Sequence, residues 1–190
     1  VRSRVRPMLD WRQLLARFIE NCSDSDFSWT QPDRRHIHQG LYLPSRKEAK
    51  LPELVLAVDC SGSVDTATLE CFCAELSGIL EDFDTRLIVL YHDMHVNGHE
   101  IFCRQDMPFT PMPVGGGGTD FRPVFSYVDQ LIQQHEFKHL KGLIYFTDGF
   151  GTFPERQPEY STAFVFIQDE YNNLDVPPWA IKLILEKDEI

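Results

Sequence analysis

Positive charge is scarce in this chain: 18 Lys and Arg stand against 29 Asp and Glu, a formal net charge of −11 over 190 residues. Such a surface repels phosphates, so nucleic acid is not an expected partner. Long apolar runs are missing as well. None approaches the ~20 residues of a membrane-spanning helix, so no membrane partner is expected. The opening Val-Arg-Ser-Arg-Val-Arg-Pro lacks the apolar core of a secretory signal, which makes a cytoplasmic location the expectation. Cysteines are few, odd in number at five, and irregularly spaced, which excludes a disulfide framework. Cys71 and Cys73 face different directions on an expected helix, and Cys60 alternates away from its serine neighbours. All five are expected to be buried or half-buried free thiols. No Lys-Ser or Lys-Thr follows the four glycines 115–118, so they are not a phosphate loop. No serine has a histidine beside it in sequence to activate it as a nucleophile.

What is present suits one ordinary domain, with 43% hydrophobic residues. The first residue is Val1 rather than Met, and a piece of a longer protein is the expectation. Residues 1–50 read as an arm packed on the main body, and 51–190 as a single compact unit. In the arm, Asp10 and Gln13 form a capping box, followed by Trp11, Leu14, Leu15, Phe18 and Cys22 at helical spacing. A basic cluster, Arg34, Arg35, His36 and His38, reads as a surface segment. Beyond it, apolar runs alternate with amphipathic stretches. Strands are expected at 53–58, 86–91, 142–146, 163–167 and 180–185, with an antiparallel edge strand at 95–103. One helix starts at Asp65 with the stripe Leu69, Phe72, Cys73, Leu76, Leu80 and Phe83. A second spans 120–134 with Phe121, Val124, Phe125, Val128, Leu131 and Ile132 on one side. Pro123 is tolerable in its first turn. The fold class is α/β: a mostly parallel sheet of about six strands with helices on both faces. The connections after Asp148 and after Ile167 carry prolines and are too short for crossover helices. One face over the last two strands should therefore be thinly covered, with the N-terminal arm as its cover.

The chemistry gathers at three strand ends. Asp59-Cys60-Ser61-Gly62-Ser63 follows the run Leu54-Val55-Leu56-Ala57-Val58, Thr119 follows the four glycines, and Asp148 follows Leu143-Ile144-Tyr145-Phe146. Carboxyl ends of strands are where open α/β sheets bind ligands. Asp59, Ser61, Ser63, Thr119 and Asp148 form an all-oxygen set, which hard cations select: Mg²⁺ first, with Mn²⁺ or Ca²⁺ as variants. The glycines at 115–118, with Gly62 and Gly149, are expected to let backbone approach the ion. Phe150, Thr152 and Phe153 after Asp148, and Phe109 and Met112 before Thr119, are candidates for an apolar rim. Asp120 is expected to cap a helix.

Two histidine groups compete. His135-Glu136-Phe137-Lys138-His139 matches the zinc-protease pattern, which needs both histidines on one face of a continuing helix. Here it falls at a polar helix end, expected to lie across the domain from the oxygen site. His92, His95 and His99 lie in the edge hairpin and are expected to be exposed. The rival to a binding module is thus a metal-dependent hydrolase, using either His135, Glu136 and His139 with zinc or the oxygen-bound ion as Lewis acid.

The three strand-end segments carry a resemblance. Asp59-Cys60-Ser61-Gly62-Ser63 fits the Asp-x-Ser-x-Ser signature of von Willebrand factor A (VWA) domains, and Thr119 and Asp148 fit its other two elements. The chain most resembles bacterial VWA-like proteins of unknown function whose fuller members carry a metallopeptidase region upstream. The stretch 145–151 is similar to theirs, as are 10–15 and Arg34-Arg35 with Leu41-Tyr42-Leu43-Pro44. The resemblance implies a Rossmann-like VWA fold and a metal-ion-dependent adhesion site built from residues 59, 61, 63, 119 and 148. In such a site the aspartates can hold coordinating waters, and an open position on the ion accepts a partner's carboxylate. It also implies a protein-binding module rather than an enzyme. Its partner would be an AAA+ ATPase or an upstream region of the same polypeptide. The metallopeptidase region itself is expected to be a separate segment absent from this chain.

Overall fold

Every residue of the strand Glu53–Asp59 is buried, as a run covered by helices on both sheet faces must be. In this computed structural model the described residues are 10–23, 27–32, 44–46, 53–62, 66–83, 85–112, 115–167 and 176–185. The expected basic cluster at 34–38, the segment 41–43, Ser63 and the helix start at Asp65 lie outside them. In chain order the elements are α1 (Trp11–Ser23), β1 (Phe27–Pro32), β2 (Pro44–Arg46), β3 (Glu53–Asp59), α2 (Thr66–Glu81), β4 (Arg86–His92), β5 (Val96–Phe102), α3 (Arg122–Gln133), β6 (Leu140–Thr147), β7 (Ser161–Ile167) and β8 (Ile181–Leu185).

The main sheet runs β5-β4-β3-β6-β7-β8. Only the β4–β5 pairing is antiparallel, which makes β5 the expected edge strand. Among the described residues the arm contributes no strand to this sheet; β1 and β2 pair with each other instead. From β3 the chain moves outward to β4 and β5, then returns to place β6 on the other side of β3. That reversal is a topological switch point, where the connections leaving two neighbouring strands diverge and open a crevice at their carboxyl ends.

Side chains alternate between two apolar layers. One layer holds Leu54, Leu56 and Val58 of β3 with α1 and α2 against them; the other holds Val55 and Ala57 with α3. The α2 stripe is buried as expected, apart from a half-buried Phe83. Cys71, however, is exposed, because it falls on the face of α2 opposite the buried stripe of Leu69, Phe72, Cys73, Leu76 and Leu80. Ile132 also departs from expectation, being 37% exposed: α3 begins at Arg122, and residue 132 falls off its inward stripe of Val124, Phe125, Val128 and Leu131.

The thin face over the last strands is covered by α1. Asp10 caps this helix by accepting the Arg12 N–H at 3.0 Å. Trp11, Leu15, Phe18, Ile19 and Cys22 are buried in the same layer as Ala163, Val165, Ile167, Leu183 and Leu185. The connection 148–160 holds no helix that could do this instead. The approach is close. A Cβ on Gly142 of β6 would stand 2.9 Å from the Cys22 sulfur and 3.0 Å from the Phe18 ring.

At the amino end of the sheet, buried Glu53 pairs with Arg86 at 2.6 Å and accepts the N–H groups of Lys138 and His139 at 2.6 and 2.7 Å. These bonds tie the start of β3 to β4 and to the entry of β6.

Phe18 is almost fully buried between α1 and β6, so Phe18→Ala is expected to cost about 3–5 kcal/mol, the range for a deleted core aromatic. Urea unfolding measures it; a loss below about 1 kcal/mol would mean that α1 is not part of the core.

Candidate metal centre

Asp59 ends β3 at the switch point and is fully buried. Its Oδ1 accepts the Ser61 N–H at 2.9 Å and the Thr119 hydroxyl at 3.3 Å; its Oδ2 accepts the Thr147 hydroxyl at 2.7 Å. Asp148 follows β6, is 1% exposed, and accepts the Phe150 N–H at 3.0 Å. Three separate segments thus meet at one carboxylate: the β3–α2 loop, the glycine loop and the end of β6. Cys60 turns away, with its thiol 3.6 Å from the Val58 carbonyl. Of the five expected ligands, Asp59, Ser61 and Thr119 share contacts, and Asp148 follows directly on Thr147.

The local backbone explains which glycines matter. A Cβ on Gly115 would lie 2.8 Å from the Cys60 Cβ, so the glycine loop can rest on the Asp59 loop only without one. Gly116 and Gly149 have left-handed φ of +147° and +88°. Gly62 differs from expectation: nothing lies within 4 Å of an added Cβ and its φ is ordinary. A Cβ on Gly151 would stand 2.7 Å from the ring of fully buried Phe121, whose N–H bonds the Thr152 carbonyl at 3.3 Å. The Asp148 loop therefore sits directly on the residue that precedes α3.

Asp93, in the β4–β5 turn, is a residue that sequence reasoning missed. Its carboxylate accepts the His95 N–H at 3.1 Å and also the Gly117 N–H, and its carbonyl accepts the Asp120 N–H at 3.3 Å. The backbone donors, that of His95 first, hold its pKa below the ordinary carboxyl value. The turn thereby anchors the loop that carries Thr119. Asp120 accepts the Arg122 N–H at 3.0 Å and pairs with its guanidinium at 2.6 Å, a helix-start role as expected.

His92 corrects the expectation of an exposed histidine. It is fully buried, because β4 is an inner strand to its last residue. Its Nδ1 lies 3.1 Å from the Asp93 carbonyl and its Nε2 2.7 Å from the Tyr145 hydroxyl. A nitrogen facing a carbonyl must donate, so neutral His92 accepts the Tyr145 proton at Nε2. Burial lowers the His92 pKa, against the pull of nearby Asp59, and keeps the ring neutral. His95 and His99 are exposed as expected.

The donor chemistry fits a hard divalent cation. Asp59 has no Lys or Arg ion-pair partner among the described residues, although a buried charge is costly without a counter-charge. Ser61 and Thr119, with Asp59 and Asp148, are the described side chains that would hold such an ion. A hydroxyl bound to a cation offers it a lone pair and sends its proton elsewhere; the Thr119 proton already points at Asp59. Around the crevice, Phe150 and Met112 are 55% and 62% exposed, and Thr152 is exposed. Phe153 is only half-buried, with its ring packed on Phe121 and Phe164 at 4.8 and 5.2 Å, whereas Phe109 is buried. Met94 is a further exposed side chain here, close to Gly118.

The His135–His139 pattern is not helical. Helix α3 ends at Gln133, His135 has φ +59°, and the Glu136 N–H closes the helix end on the Leu131 carbonyl at 3.0 Å. His135 and Glu136 are exposed in this turn. It lies at the amino end of β6, about 25 Å of strand from Asp148. Among the described residues, no three His, Cys, Asp or Glu side chains gather as a metal site. The candidate donors described at the crevice are the carboxylates of Asp59 and Asp148 and the hydroxyls of Ser61 and Thr119. No helix among the described residues is long and apolar enough to cross a membrane.

Comparison with known proteins gives two family matches. The model described as “VWA-like domain (DUF2201)” matches residues 54–186, and the one described as “Putative metallopeptidase domain” matches residues 1–47. The second match overturns the expectation that the metallopeptidase region is absent: α1, β1 and β2 fall inside it. A relative from Thermotoga maritima, described as an uncharacterized protein, is 28% identical over 169 residues, covering 88% of this chain and 39% of the relative. The chain thus spans about two fifths of that relative's length. Among solved structures, the SpRpn10 VWA domain is similar with a TM-score of 0.39 and 10% identity, over 72% of this chain and 89% of that one. The pilus adhesin SpaC from Lactobacillus rhamnosus GG, in an open conformation, gives 0.35 and 19%, over 54% and 15%. At such scores the fold rests on the strand order and register described above.

Because the Asp93 pKa is depressed, its stabilisation is complete above the unfolded value of 3.8 and is lost as pH falls through the lower folded value. Asp93→Ala is therefore expected to speed amide exchange at His95 and Gly117 about tenfold at neutral pH. Its melting difference from wild type should shrink from about pH 5 to about pH 3. Unchanged exchange at Gly117 would show that Asp93 does not hold the loop.

Proposed function

The chain belongs to the VWA-like domain (DUF2201) family, and from that premise we propose that its switch-point crevice binds a divalent cation, Mg²⁺ first, and through it a carboxylate of a partner protein. The observation that carries this reading is the meeting of the Ser61 backbone N–H and the Thr119 hydroxyl on one oxygen of fully buried Asp59. Neutral hydroxyl ligands with few direct anionic ones leave a cation electron-poor, so an incoming carboxylate gains more from it. Ser63 completes the proposed set. Exposed Phe150 and Met112, with Thr152, supply apolar contact around the ion, since a polar ring alone grips weakly. In this reading the chain is a binding module and not itself an enzyme. The partner is an AAA+ ATPase or an upstream region of the same polypeptide.

The second reading is a metal-dependent hydrolase. The description of the model matched by residues 1–47 is what favours it. Within this chain, the exposed turn around His135 and Glu136 speaks against zinc chemistry there.

Mg²⁺ is expected to raise the melting temperature, since a ligand at 100 times its Kd stabilises the folded state by about 2.7 kcal/mol. Asp59→Ala should abolish the rise, and a joint His135→Ala, His139→Ala variant should keep it. Calorimetry with metal analysis decides between the readings. A full Mg²⁺ response in Asp59→Ala would remove Asp59 from the site, and one equivalent of zinc lost with His135 would favour the hydrolase.

A further inference from the structure

Thr147 was not among the expected site residues, yet it makes the shortest contact to Asp59. It is the last residue of β6 and fully buried. Its hydroxyl has one proton. The Gly149 N–H points at the Thr147 oxygen at 3.0 Å, so the proton is left for Asp59 Oδ2 at 2.7 Å. Backbone pairing of β3 with β6 ends at Val58 and Phe146, while Thr147 still pairs with Phe166 of β7. At the level of Asp59, the two central strands are therefore joined by this side-chain bond rather than by the ladder.

We infer that Thr147 is a positioning residue of the metal centre: its hydroxyl fixes the rotation of the Asp59 carboxylate and ties it to the turn that carries Asp148. With Oδ2 held by Thr147, Oδ1 is turned toward the Ser61 N–H and the Thr119 hydroxyl. The Gly149 N–H bond sets the height of the Asp148 turn relative to that carboxylate. The inference rests on the metal reading for its functional consequence, while the tie itself can be measured without metal. Outer partners of this kind typically alter metal affinity 10–100-fold.

The test uses the full chain with Thr147→Val, which keeps the branched shape and removes the proton donor, and Thr147→Ser, which keeps the hydroxyl. Mn²⁺ alone is the probe, followed by electron paramagnetic resonance. Amide exchange at Gly149 is measured without metal, and circular dichroism confirms that both variants fold. Mn²⁺ binding is expected to weaken at least ~10-fold in the valine variant and to stay within about twofold of wild type in the serine variant. Gly149 exchange should accelerate only with valine. Unchanged Mn²⁺ affinity with valine overturns the inference, as does equal loss with serine, which would assign the effect to packing. If wild type itself takes up no Mn²⁺, the metal reading fails. The exchange result then still decides the tie: acceleration with valine alone upholds it, and no acceleration removes it.

Discussion

Asp59 places its carboxyl group where water does not reach, and most of the surrounding architecture answers that one constraint. An amide and two hydroxyls, drawn from three segments, fill its two oxygens. Each donor has its own support. The glycine loop can bring Thr119 in because Gly115 lies flat on Cys60 and Asp93 holds Gly117. Thr147 is placed by β6, and the turn after it rests on Phe121. Behind these, neutral His92 and Tyr145 bond to each other within an aromatic cluster of Phe121, Phe125 and Phe164. Dispersion and ring contacts there give the crevice a rigid floor.

Much of this was legible in the sequence, for a physical reason. Buried parallel strands need continuous apolar runs, and such runs stand at each central strand, so their carboxyl ends and the residues just beyond could be placed. Alternation then predicted that Cys60 turns away. The covering of the last strands by α1 followed from connections too short for helices. What escaped was contact between segments distant in sequence. Thr147 reads as an ordinary strand residue, and its role comes from the gap between β3 and β6. Asp93 reads as a turn aspartate until the glycine loop is folded against it. His92 looked like part of an exposed hairpin because the strand end was set one residue too early. That single residue separates a solvent position from one facing Tyr145. The Gly62 expectation erred in the other direction, treating a signature glycine as a steric necessity where the chain leaves open space.

The two ends of the sheet are organised by opposite logic. At the amino end, Glu53 is buried with Arg86 beside it and two amide donors on it, a carboxylate whose charge is answered within the fold. At the carboxyl end, Asp59 receives hydrogen bonds but no arginine or lysine among the described residues. Both groups sit on the same strand, seven residues long. The first closes a seam, and the second leaves an electrostatic demand that a cation would meet.

The close seat of α1 on Gly142 bears on where this protein can be cut. The two family matches meet between residues 47 and 54, but the apolar layer runs across that boundary without interruption, from Trp11 and Phe18 to Val165 and Leu183. A shortened chain beginning near residue 54 would expose the side of β6, β7 and β8 that α1 covers, a contiguous greasy surface of the kind that drives self-association. The boundary between the two matches therefore does not coincide with a break in the apolar layer. Any attempt to isolate the half that carries the switch-point crevice would need a substitute for that helix.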